Sequence, residues 1–150
     1  MRFSVRAFIT MAGFITVFDA PGAAGAQVAL EPGMWRITVT STTNGKPDPA
    51  QDSKECLGEE LKDLAAYFAP QLEGAEVECK RTRQPANDRE LNYRMQCSGT
   101  GLTVDALTSF TVENSRHFTV TMRINSRTPQ ESAIVVARGK ASWTGACPVK

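Results

Sequence analysis

At 150 residues the chain has room for one domain, and 41% apolar with 22% charged residues is the composition of a folded chain rather than a disordered one. A formal charge of +1 at neutral pH gives it no global field that would steer it to nucleic acid or an anionic membrane.

Arg2 and Arg6 precede Ala7 to Phe18, an uncharged run whose length of roughly a dozen residues suits the apolar core of a signal peptide. Asp19, Pro21 and Gly22 end it, and Ala24-Gly25-Ala26 supplies the small-x-small pattern a signal peptidase requires. The expectation is a leader over residues 1–26, cut between Ala26 and Gln27, and a mature domain over residues 27–150. A retained anchor would need about 20 consecutive apolar residues, more than this run offers. Removing the leader takes away two cations and one anion, so the mature charge is zero.

The next element is a strand. Trp35, Ile37 and Val39 alternate with Arg36, Thr38 and Thr40 after the turn-like Glu31-Pro32-Gly33. Thr42 to Gln51, with Asn44-Gly45 and two prolines, reads as loop. Leu57, Leu61, Leu64, Ala65 and Phe68 then follow helical spacing, which predicts an amphipathic helix over Gly58–Phe68, ended by Pro70.

From Ala75 onward the period returns to two. Strands are expected near Glu76–Arg83, Glu90–Ser98, Leu102–Glu113, Arg116–Asn125 and Glu131–Trp143. Their connectors are short, and short links join antiparallel neighbours. Ile134-Val135-Val136-Ala137 is apolar on both parities and points to a central strand. The predicted fold class is mainly β: a curved antiparallel meander of about six strands, half-barrel or small barrel-like, with one short amphipathic helix and two disulfides.

The four cysteines, Cys56, Cys79, Cys97 and Cys147, are spaced by 23, 18 and 50 residues with His117 the single histidine, so they lack the paired knuckles of a zinc site. An even number in an exported chain reads as a disulfide framework, and four cysteines allow three pairings. A hairpin turning at Pro85-Ala86-Asn87-Asp88 would set Cys79 opposite Cys97, leaving Cys56 to join Cys147. The sequence alone keeps the other two pairings open.

Chemistry-bearing residues are sparse. His117 shares strand parity with Thr119, Thr121 and Arg123, opposite the apolar set, which makes it a surface residue. No serine sits in a G-x-S-x-G elbow, and Gly99-Thr100-Gly101 follows a strand without opening a helix, so it serves a turn. Lys80, Arg81, Arg83, Arg89 and Arg94 form a basic cluster, with Glu55, Glu59, Glu60, Asp63 and Glu73 upstream. Such a cluster is a candidate docking patch for an acidic partner. If the sheet curves round an apolar cleft, then Trp35, Phe110, Phe118, Val120 and Met122 are its candidate lining; plain core is the alternative.

Pro32-Gly33-Met34-Trp35, Cys56, Cys79, Cys97-Ser98-Gly99 and the terminal Gly139…Trp143-Thr144-Gly145-Ala146-Cys147 together resemble domain-of-unknown-function family 3617, small exported bacterial proteins. The resemblance implies an envelope-exported, cysteine-bearing β domain and brings no catalytic residue with it. A stapled β-meander with no catalytic constellation reads as a non-enzymatic periplasmic or secreted binding or protein-interaction module, with no metal and no cofactor expected. An envelope protein or a small apolar ligand is the expected partner, and no membrane span is expected in the mature chain. An accessory subunit or inhibitor of a larger envelope protein, and a carboxylate-dependent hydrolase, stand as alternatives to it.

Overall fold

The structure is a computed structural model that describes residues 29–70, 72 and 76–149. The expected leader and its cleavage point lie outside the described residues. Eight strands form one antiparallel sheet: β1 (Gly33–Thr43), β2 (Lys46–Pro47), β3 (Gln51–Leu57), β4 (Val77–Gln84), β5 (Glu90–Gly99), β6 (Leu102–Asn114), β7 (His117–Arg127) and β8 (Ser132–Gly145). Across the sheet the order is β2-β1-β8-β7-β6-β5-β4, and β3 also pairs with β1. The last five strands run as an up-and-down meander. The first strand then lies beside the last, in register from Trp35 opposite Trp143 to Thr43 opposite Val135.

The sheet is open. The edge formed by β2 and β3 does not meet the edge formed by β4, so the expected mainly β antiparallel meander is not closed into a barrel. Both edge strands carry charge, Asp52, Lys54 and Glu55 on β3 and Glu78, Lys80, Arg81 and Arg83 on β4. Charged side chains along an edge discourage a second sheet from adding to it.

Two strands escape the sequence pattern. Asn44 (φ 50°) and Gly45 (φ 79°) make a tight two-residue hairpin, so the expected loop 42–51 holds β2 and leads directly into β3. The strand β3 has the sequence QDSKECL and buries only Leu57 fully, so no alternation of apolar residues announces it.

Because β3 and β4 lie at opposite edges, the chain between them crosses one face of the sheet. That face is called inner below. The expected continuous helix is absent there: a 3-10 turn over Glu59–Lys62 is followed by α1 (Leu64–Tyr67), a single turn. Asp63 separates them, its carboxylate accepting the Ala66 N–H at 3.0 Å as an N-cap. Its apolar residues still face the sheet as predicted. Leu64 and Ala65 are buried, Leu61 and Phe68 half-buried, and all pack with Trp35, Ile37, Phe110, Val112, Phe118, Val120 and Ala141 in one core. A second cluster of Cys97, Val104, Ala106, Ile124 and Val135 lies under Leu72, Val77 and Met122.

Gly139 shows how closely this inner face is packed. It sits on β8 opposite Val120 and Val39, and a Cβ there would come within 2.7 Å of Val120 Cγ1. Gly139→Val should therefore cost about 1–3 kcal/mol through overpacking and lower the melting temperature by about 4–12 °C. A thermal melt that leaves the midpoint unchanged would contradict this close approach.

The disulfides pair Cys56 with Cys147 and Cys79 with Cys97. The second joins directly opposed residues of β4 and β5. The first ties β3 to the chain just beyond β8.

Candidate functional site

The residues that carry the family resemblance gather mostly at one corner, where β1, β3 and β8 meet. Trp35 Nε1 donates to the Glu31 carbonyl at 3.0 Å, and Trp143 Nε1 donates to the Pro32 carbonyl at 3.2 Å. Thr144 Oγ1 donates to the Met34 carbonyl at 3.0 Å, and the Cys56–Cys147 bridge closes the same corner. Gly33 has φ +151°, and a Cβ on it would collide with the Trp143 indole nitrogen and the Gly145 carbonyl. Arg116 completes the corner, its guanidinium 4.5 Å from the Trp143 ring and its Nε 3.0 Å from Glu31. These contacts knit the entry of the first strand to the exit of the last. The motif residues hold the fold.

The candidate cleft residues fall in the packed interior. Among the described residues Trp35, Phe110 and Phe118 are the largest fully buried side chains, Val120 is buried beside them, and Met122 is half-buried at the second cluster. Open space on the inner face lies elsewhere, in a recess of about 470 Å³ between the crossing segment, the β1 entry and β5. Leu30, Leu61, Leu64, Leu91, Tyr93 and Val112 line it, and Glu59, Lys62, Asp88 and Arg89 are among its charged residues. Tyr67 anchors the crossing segment nearby, its hydroxyl donating to the Glu55 carboxylate. Burial first, and the Glu55 carboxylate second, hold the Tyr67 phenol well above its ordinary pKa.

The five cations of the candidate docking patch do not share a face. On β4, Arg81 and Arg83 pair with Met95 and Tyr93 on the inner-facing parity, whereas Lys80 and Arg94 fall on the other. Arg89 lies in the turn before β5. Two of the five are engaged within the chain: Arg81 binds Asp63 at 2.8 Å with its guanidinium 5.9 Å from the Tyr93 ring, and Arg94 grips Asp105 with bonds of 2.9 and 2.7 Å.

The face of the sheet that no described segment covers, called outer below, holds an open trough of about 800 Å³ across β4 to β8, with Lys80, Gln96, Asp105, Asn125, Arg127 and Ile134 among its lining. His117 is exposed on this face, its Nδ1 3.2 Å from Asn114 Oδ1. Among the described residues no charged or polar side chain is buried, and no three His, Cys, Asp or Glu side chains come together as a metal would require.

The family described as "Protein of unknown function (DUF3617)" matches residues 30–147. The chain belongs to that family. The matched span begins one residue beyond Ala29 and ends on Cys147, so it takes in the whole sheet and both disulfides of this family member. No curated protein and no solved structure matches the chain.

Ion pairs on the surface give this member of the family a signed response to acid. Arg116 lowers the pKa of Glu31, Arg36 that of Asp52 and Arg94 that of Asp105, in each case chiefly through a side-chain hydrogen bond; the Gly58 amide does the same for Glu60. A carboxyl with a lowered folded pKa stabilises the fold fully above its unfolded value and loses that contribution as pH falls through the folded one. Tyr67 works in the opposite direction, with a raised pKa whose stabilisation is complete below its unfolded value of 10.0 and fades at higher pH. The melting temperature should be flat near neutrality, fall below about pH 4, and fall again above about pH 10. A midpoint that rises on acidification would overturn the assignment.

Proposed function

We propose that this chain is an exported periplasmic protein, its leader removed between Ala26 and Gln27, that works as a non-enzymatic binding or protein-interaction module. The leader pattern and two disulfides support export, because disulfides persist in oxidising compartments. The observation that carries the module reading is the sheet's asymmetry. One face is covered by the crossing segment, and no described segment covers the other across the meander and β1; a disulfide lies near each edge. Catalytic groups are normally tuned by desolvation in a cleft, and the carboxylates whose pKa values move here are surface groups answered by arginines or a backbone amide. A carboxylate-dependent hydrolase therefore has the weaker support.

A second reading, carriage of a small apolar ligand, draws on the inner recess, whose volume of about 470 Å³ falls within the range of ligand sites. Two measurements separate these readings. Intact mass of protein recovered by osmotic shock should begin at Gln27 and lack four hydrogens, with no alkylation before reduction; a retained leader or four free thiols would sink the export reading. Photo-crosslinkers placed along the outer face should trap one reproducible adduct, and their silence at every position would sink the interaction reading. Native mass spectrometry of envelope-purified protein decides carriage: a uniformly bare mass removes it.

A further inference from the structure

Three neighbouring strands at the heart of the outer face, β1, β8 and β7, contain no aspartate or glutamate. They carry Arg36, Arg123, Arg127, Arg138 and Lys140, all exposed. Register places every one on the outer face: Arg138 stands between Thr40 and Thr121, Lys140 between Thr38 and Thr119, and Arg123 beside Val136. Arg36 is held by Asp52, but Arg123, Arg127, Arg138 and Lys140 make no ion pair among the described residues. Arg138 and Lys140 are two residues apart on one face, about 7 Å along the strand. Arg123 is a diagonal neighbour of Arg138. Like charges this close repel, and threonines cannot neutralise them. Across the molecule, on the crossing segment, Glu59 is answered by Lys62 and Asp63 by Arg81. The outer acids Asp52 and Asp105 are taken up by Arg36 and Arg94, which leaves the β7 and β8 cations unanswered.

Aliphatic side chains adjoin these cations. Leu107 is 48% and Ile134 42% exposed, two of the three exposed large hydrophobics among the described residues, and both are on the outer face. Leu107, Arg123 and Val136 form one row across β6, β7 and β8. Arg123 stands between the two aliphatic side chains, so charged and apolar groups interleave on this face and offer both kinds of contact to a polypeptide. No phenylalanine, tyrosine or tryptophan stands at an outward-facing position of β6, β7 or β8, and the single imidazole there, His117, is at the end of β7. Stacking of bases needs such rings, and membrane interfaces favour them.

We propose that the outer face of β1, β8 and β7 docks an acidic polypeptide, its carboxylates meeting Arg123, Arg138 and Lys140 and its aliphatic side chains meeting Leu107, Val136 and Ile134. This deepens the interaction-module reading and rests on it. The basic hairpin is not the docking surface.

The test uses the oxidised protein and a synthetic peptide of repeated Glu-Ala-Leu-Glu. Amide shifts on titration should map to Thr38, Thr40, Thr119, Thr121 and Lys140, and binding should weaken as salt rises. Arg138→Glu with Lys140→Glu should cut affinity by about tenfold or more, since both charges change sign, while Arg83→Glu with Arg89→Glu should change it less than about twofold. Leu107→Ser should weaken the peptide and leave inorganic polyphosphate unaffected. The proposal is overturned if shifts map to the hairpin, if the β8 variant binds normally, or if polyphosphate or phosphatidylglycerol vesicles bind as tightly as the peptide. Failure here with a reproducible crosslinked adduct elsewhere on the molecule would remove this face and keep the module. Failure of both would remove the module itself.

Discussion

Replacing Cys56 and Cys147 together with serine should lower the melting temperature by about 15–20 °C, the larger of the two disulfide losses. Cys56 and Cys147 are 91 residues apart in sequence, against 18 for Cys79 and Cys97. In the chain-entropy account the long loop contributes about 4.5 kcal/mol and the short one about 3 kcal/mol, and a domain of this size loses about 4 °C per kcal/mol. Topology points the same way. β3 touches the sheet only through β1, so the bridge is its second attachment, and β3 leads directly into the segment that covers the core. Cys79 and Cys97, by contrast, join strands already paired along their whole length. Melts of the two double-serine variants should therefore rank Cys56/Cys147 as the more damaging. Equal losses, or the reverse order, would mean that β3 stays docked without its covalent tie.

The meander was legible because its strands obey a simple rule. Phe118, Val120, Met122 and Ile124 alternate with exposed or half-buried polar residues, and the observed strand His117–Arg127 differs from the expected Arg116–Asn125 only at its ends. The same regularity favoured one of the three disulfide pairings without deciding it, since a hairpin turning near Asn87 sets Cys79 opposite Cys97, as observed. What failed did so where the local pattern and the tertiary role part company. β3 is an edge strand, half solvated, and its Asp, Lys and Glu give it no apolar period to detect. The crossing segment has helical spacing because its apolar residues must reach one face, yet Asp63 caps a new turn in its middle and divides it. The apolar set survived and the helix did not.

The proposed docking face was less legible than the fold, for a related reason. Lys80, Arg81, Arg83, Arg89 and Arg94 are close in sequence, but a strand sends alternate side chains to opposite faces, so proximity along β4 and β5 separates them in space. Arg123, Arg138 and Lys140 are far apart along the chain and converge only through the register of β7 with β8. One signal did exist in the sequence. Between Arg116 and Gly145 the single acidic residue is Glu131, in the turn, so the last two strands are basic without any counter-charge of their own.

Trp35→Ala should cost about 3–5 kcal/mol, the typical penalty for deleting a buried aromatic side chain and leaving a cavity. Trp35 has no exposed surface; its ring centroid lies 5.4 Å from that of Phe118, and Phe68 of the crossing segment packs against the same phenylalanine. Trp35→Phe keeps most of that volume and loses the Nε1 bond to the Glu31 carbonyl, a loss of about 1–2 kcal/mol. Trp143→Ala provides the comparison. It stands directly opposite Trp35 on β8 but is only half-buried, so its loss should be clearly smaller. Denaturant melts of the three variants should rank Trp35→Ala far below the others. The ranking also tests whether Trp35, Phe110, Phe118 and Val120 are floor or cleft. A cleft wall could be truncated with little change in stability and a large change in ligand occupancy; a sealed floor answers in stability. Equal losses for Trp35→Ala and Trp143→Ala would mean that solvent already reaches the first tryptophan and that the crossing segment does not close the inner face.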